Sequence, residues 1–123
     1  MSRRRFLAGG LALWLSGDVG TQLSGSAVTN WIDQSGNNRN ATQASAGSQA
    51  QLINSVLNGK PVVRFDGVND HMTFNLPVNG LSGMSIFLVA ANTTNPLTAT
   101  GAEKAALFWN EDVFWGAVYV SPF

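Results

Sequence analysis

The spacing of apolar residues constrains this chain most. They alternate with polar residues or come in short runs between turn residues, and no stretch keeps a helical period for three turns. A period of two places successive side chains on opposite faces of an extended strand, so the chain reads as all-β. Strands are expected near 10–15, 27–33, 50–54, 61–66, 71–76, 84–91, 105–110 and 114–120, with Gly, Asn and Ser between them. That spacing suits a sandwich or a barrel. The clearest pair is Val62-Val63-Arg64-Phe65 and His71-Met72-Thr73-Phe74-Asn75-Leu76, expected as a hairpin around Gly67 with one wet face, because Met72, Phe74 and Leu76 alternate with His71, Thr73 and Asn75. Residues 84–91 are apolar on both faces apart from Ser85, the pattern of a central strand covered on both sides. Trp31, Phe65, Phe74, Ile86 and Leu88 form the expected core, and 36–50 and 92–104 the long surface loops.

Composition narrows the function. A chain of 123 residues has room for one domain. Only 11% of it is charged, well below the usual ~25%, so Asn, Ser, Thr, Gln and Gly supply the surface, which suits neutral, hydroxyl-rich partners. Three of the seven basic residues are Arg3, Arg4 and Arg5, which leaves four basic against seven acidic residues over 6–123, a net charge of −3. A basic face for nucleic acid is not expected. The absence of cysteine removes disulfides, zinc-thiolate sites and thiol nucleophiles. Residues 1–9 are a basic segment with two competing readings. Ser2-Arg3-Arg4-Arg5-Phe6-Leu7 is similar to a twin-arginine export signal with Phe6 to Leu15 as its apolar region, whereas Leu11-Ala12-Leu13-Trp14-Leu15 also suits an opening strand that ends at Ser16-Gly17-Asp18. No apolar run approaches the ~20 residues that span a bilayer.

Several segments in order carry a resemblance: Leu13-Trp14-Leu15, then Val28 to Asn37 (Val-Thr-Asn-Trp-Ile-Asp-Gln-Ser-Gly-Asn), then Asn40-Ala41-Thr42-Gln43, then Leu57 to Gly67 (Leu-Asn-Gly-Lys-Pro-Val-Val-Arg-Phe-Asp-Gly), with Asp70 after it. Together they resemble the concanavalin A-like, laminin G-like jelly-roll domains of bacterial and phage surface proteins. The resemblance implies a domain over 10–123 of two antiparallel sheets in a jelly-roll sandwich, an extracellular or cell-surface location, and non-catalytic binding of glycans, matrix or surface proteins, in some cases with Ca²⁺. It also implies more strands than 123 residues supply. The sheets are then expected to be completed by a further part of the domain, by a partner or by a second copy, and the uncharged run 113–120 has the character of such an open edge. A structural or assembly module of a virion or adhesin is the alternative, and a glycoside hydrolase fragment a minor one.

The candidate site residues each have a plainer role beside the functional one. Asp33, Asp66 and Asp70 could supply oxygens to Ca²⁺, yet Asp beside Gly, as in Asp33-Gln34-Ser35-Gly36 and Asp66-Gly67-Val68-Asn69-Asp70, commonly caps its own turn. Trp109 and Trp115, with Asn110 and Glu111 between them, suit a sugar-stacking platform, while Trp14 and Trp31 read as core. Glycoside hydrolysis needs two carboxylates across a cleft, and the adjacent Glu111 and Asp112 would point to opposite faces of a strand. No catalytic residue is expected, and the lone His71 reads as a surface-strand residue. Asn40-Ala41-Thr42 and Asn92-Thr93-Thr94 match the N-glycosylation pattern and also serve simply as polar loop residues.

Overall fold

The computed structural model describes residues 10–78 and 80–91, together with the backbone of two short strands at 107–109 and 118–120. Two compact units divide the chain, Met1–Gly80 and Leu81–Phe123. The first unit holds one antiparallel sheet made of β1 (Thr21–Ser24), β2 (Ala27–Trp31), β3 (Ala41–Thr42), β4 (Gln51–Leu57) and β5 (Lys60–Arg64), in the order β1-β2-β4-β5 with β3 also paired to β2. Among its described residues the only helical element is a short 3-10 turn at Ala46–Ser48. The second unit contains β6 (Leu107–Trp109) antiparallel to β7 (Val118–Val120). The described residues are therefore β-rich with almost no helix, and no helix among them is long and apolar enough to cross a membrane.

Two tight turns build most of the sheet. Ser24 pairs with Ala27 across Gly25-Ser26, and Leu57 pairs with Lys60 across Asn58-Gly59. Asn58 and Gly59 both lie at positive φ, 50° and 75°, which is the requirement of the two-residue turn whose twist matches that of its strands. From that turn β4 and β5 run through the pairs Ile53↔Val62, Leu52↔Val63 and Gln51↔Arg64. Between Leu57 and Ile53 β4 advances four residues while β5 advances two, and Ser55 takes up the bulge at φ 56°.

The structure corrects the expected hairpin. The 61–66 segment pairs with 51–57 and not with 71–76, and the backbone of 71–76 makes one bridge, Thr73↔Thr42. The alternation over 71–76 does persist as burial, with Met72, Phe74 and Leu76 half-buried and His71, Thr73 and Asn75 exposed. The segment 36–50 is likewise more than a surface loop, since it contains β3 and buries Ala41, Gln49 and Ala50. Residues 10–15 form no strand, although the segment is tied to the sheet by hydrogen bonds, and β1 stands where no strand was expected. Among the described residues Val28, Ala41 and Ala50 are the buried apolar ones, Trp31 is half-buried, and Phe65 is 43% exposed. In the second unit 84–91 forms no strand, and Ile86 and Leu88 are exposed, Phe87 and Val89 almost fully so at 95% and 94%. An apolar run shows that burial would be favourable; it does not supply the neighbouring backbone that makes a strand.

Gly20 shows how closely the first unit packs around the end of β2. Its φ is +82°, its carbonyl accepts from Ile32 N–H at 2.9 Å, and a Cβ placed there would lie 2.5 Å from Gln34 Nε2 and 3.1 Å from the Ile32 carbonyl oxygen. Gly20→Ala is expected to lower stability by about 1–2 kcal/mol, the cost of a left-handed non-glycine residue, with extra displacement of Gln34. Urea unfolding of the two proteins measures the difference, and an unchanged midpoint would show that this turn relaxes without cost.

Candidate functional site

Several polar side chains of the first unit meet at the loop that follows β2. Asp33 is 6% exposed, and its carboxylate accepts four hydrogen bonds. Oδ1 accepts from Trp14 N–H at 2.9 Å and Ser35 N–H at 2.8 Å, and Oδ2 accepts from the Ser35 hydroxyl at 2.7 Å and Arg39 N–H at 3.0 Å. Asp33 N–H in turn donates to Asn40 Oδ1 at 2.9 Å. The contact to Ser35, two residues on, is the local turn that Asp favours, while the contact to Trp14 joins segments nineteen residues apart. Burial acts to raise the Asp33 carboxyl, but the N–H donors of Trp14 and Ser35, the Ser35 hydroxyl and Arg39 N–H outweigh it and hold the group below the usual carboxylate range.

The same loop clamps the chain ahead of β1. Arg39 Nη1 donates to the Ala12 carbonyl at 2.7 Å, Asn37 Nδ2 to the Leu11 carbonyl at 2.9 Å, and Gln34 N–H to the Trp14 carbonyl at 2.8 Å. Trp31 Nε1 donates to the Ser16 carbonyl at 2.8 Å, so Trp31 is half-buried with its polar edge satisfied, whereas Trp14 is exposed. Asp18 pairs with Lys60 of β5 and accepts from the Ser16 hydroxyl. Lys60 first and Ser16 second lower its carboxyl to about 2.

Asp66 and Asp70 sit together in the loop after β5. Asp66 Oδ1 accepts from the amides of Val68 at 2.8 Å, Asn69 at 3.1 Å and Asp70 at 3.2 Å, and Asp66 N–H donates to Asp70 Oδ2 at 3.0 Å. The Val68 and Asp70 amides are the main cause that lowers the Asp66 carboxyl. Turn capping thus occupies Asp33 and Asp66. Among the described residues no three His, Cys, Asp or Glu side chains are grouped to hold a metal ion, so Asp33, Asp66 and Asp70 are not brought into one cluster. His71 is exposed, its ring contacts the Asn69 carbonyl and Gln43, and its amide donates to the Ser48 carbonyl.

Of the expected aromatic platform, Trp109 ends β6, its backbone paired with Val118. Asn110, Glu111 and Trp115, like the arginines at 3–5, lie outside the described residues. Sequence reasoning passed over Ser35, Arg39 and Asn40, which complete the Asp33 cluster. The Asp-x-Ser step was a visible signal for Ser35; the long-range partners of Arg39 had no local signal. No family model matches the chain, and neither a curated protein nor a solved structure matches it significantly.

Proposed function

We propose that this chain is a non-catalytic binding module of the laminin G-like, concanavalin A-like jelly-roll type, acting outside the cell on a carbohydrate or cell-surface ligand. One observation carries the reading. Each of the four described carboxylates, Asp18, Asp33, Asp66 and Asp70, is engaged in holding a loop or in an ion pair. Acid–base chemistry requires carboxylates aimed at a substrate, whereas these hold a scaffold. A charge-poor, amide- and hydroxyl-rich composition fits neutral ligands, and the ligand contacts are assigned to Trp109, Asn110, Glu111 and Trp115. Calorimetric titration of the full chain with neutral oligosaccharides tests this. Trp109→Ala or Trp115→Ala should weaken binding roughly tenfold, the worth of one aromatic contact. A parent chain that binds no glycan, or variants that bind as it does, would remove the reading.

A second reading, a structural or assembly module, has its own observation. Val56, Leu57, Phe65 and Val68 in the first unit are large, apolar and exposed, the kind of surface that marks protein contact when contiguous. Sedimentation as dimers or larger species without glycan binding would favour assembly, and a monomer that binds glycan would favour the first reading.

A further inference from the structure

We propose that Asn58 is a site of spontaneous covalent modification, and that one of its two products unlatches the β4–β5 hairpin. Asn58 and Gly59 are both exposed and form the whole loop between Leu57 and Lys60. No hydrogen bond involves the Asn58 carboxamide among the described residues, whereas the side chains of Asn30, Asn37, Asn38 and Asn40 are each held by at least one. A Cβ built on Gly59 would meet nothing within 4 Å, so the flank of the Gly59 amide is open. Asn54, Asn69 and Asn75 are followed by Ser55, Asp70 and Leu76, whose side chains crowd the corresponding amide. Loop tips also open locally at low free-energy cost, which lets the reacting atoms meet.

The chemistry needs only solvent. The Gly59 main-chain nitrogen attacks Asn58 Cγ, a new N–Cγ bond forms, the Cγ–Nδ2 bond breaks, and ammonia leaves with the proton that the Gly59 amide gives up. Water then opens the cyclic imide. Attack at Cγ restores the main chain and yields aspartate. Attack at the main-chain carbonyl breaks its bond to Gly59 nitrogen, so the chain now runs through Cβ and Cγ as isoaspartate. No oxidation or reduction occurs.

The products differ in what they do to the fold. Asp-Gly suits the same two-residue turn as Asn-Gly, so the aspartate form keeps the hairpin. Isoaspartate adds a methylene to the main chain of a loop with only two residues, and Leu57 can no longer face Lys60 in the same register. The pairs Ile53↔Val62 and Leu52↔Val63 follow from that turn, and Lys60 carries the ion pair to Asp18. Modification at one exposed tip therefore acts on the edge strand and on its tie to the segment ahead of β1.

The test ages the full chain in mildly alkaline buffer, maps its peptides, and labels isoaspartate with the methyltransferase specific for it. The peptide containing Asn58 should gain acid and label while Asn54, Asn69 and Asn75 remain amides; the other Asn-Gly step, Asn79-Gly80, is mapped on a separate peptide. Hydrogen exchange then compares the isolated isoaspartyl form with Asn58→Asp. Loss of amide protection at Leu52, Ile53, Val62 and Val63 in the isoaspartyl form, with protection kept in Asn58→Asp, is the expected result. An Asn58 that stays intact under conditions that modify the other asparagines, or equal protection in the two forms, would overturn the proposal.

Discussion

Asp33→Ala is expected to destabilise the chain by about 3 kcal/mol or more, because four donors lose a charged acceptor in a place where water reaches poorly. Hydrogen bonds to a charged group contribute about 1.5–3 kcal/mol each, and they are not additive. Asp33→Asn should cost roughly half as much: the side chain keeps its size and one oxygen, but sets an amide group against backbone donors, Arg39 N–H at the Oδ2 position or Trp14 and Ser35 N–H at the Oδ1 position. The folded carboxyl lies below its ordinary value, so this stabilisation is fully present above the unfolded carboxylate range, about pH 4, and is lost as pH falls through the folded value. Thermal melts of parent and Asp33→Asn from neutral pH downward check both parts. Their stability difference should shrink in acid, and a constant difference would show that the ionised form of Asp33 contributes nothing.

Val28→Ala is expected to cost about 2–3 kcal/mol, the transfer term for the lost methyl groups plus that for the cavity they leave. Val28 is 0% exposed and is the one large side chain among the described residues that is fully buried, and its amide donates to the Ala50 carbonyl at 2.8 Å. Phe65→Ala, a change that would remove far more surface from a filled core, should cost only about 1–2 kcal/mol, less than Val28→Ala, since Phe65 keeps 43% of its surface in water. Denaturant unfolding ranks the two. The reverse ranking would mean that Phe65 is covered in solution, by another copy or another part of the chain, and concentration dependence of the Phe65→Ala effect would identify the former.

Sequence alone did not separate the enclosed Val28 from the exposed Phe65. Both lie in segments expected as strands, and β2, β4 and β5 do form at 27–31, 51–57 and 60–64. The partner of 60–64 was also within reach, because Asn58-Gly59 is the strongest two-residue hairpin signal and Gly25-Ser26 a related one. The alternation over 71–76 offers a competing strand pattern for the same partner. That alternation reports a half-buried face, which an extended segment presents whether its main chain pairs fully or, as here, through the single bridge Thr73↔Thr42.

Contacts between residues a few positions apart were the sequence's own to determine. Strand character follows from period two, and the turns that Asp33 and Asp66 cap need only amides two to four residues on. Tertiary structure alone decided the rest: that Asp33 also receives Trp14 N–H, that Arg39 reaches the Ala12 carbonyl, that Lys60 meets Asp18, and that Val28 is enclosed while Phe65 is not. The physical reason is that a carboxylate or an apolar side chain carries a demand, for donors or for cover, without an address. Any of several segments could meet that demand, and which one does depends on which strand edges and main-chain groups the completed sheet brings alongside.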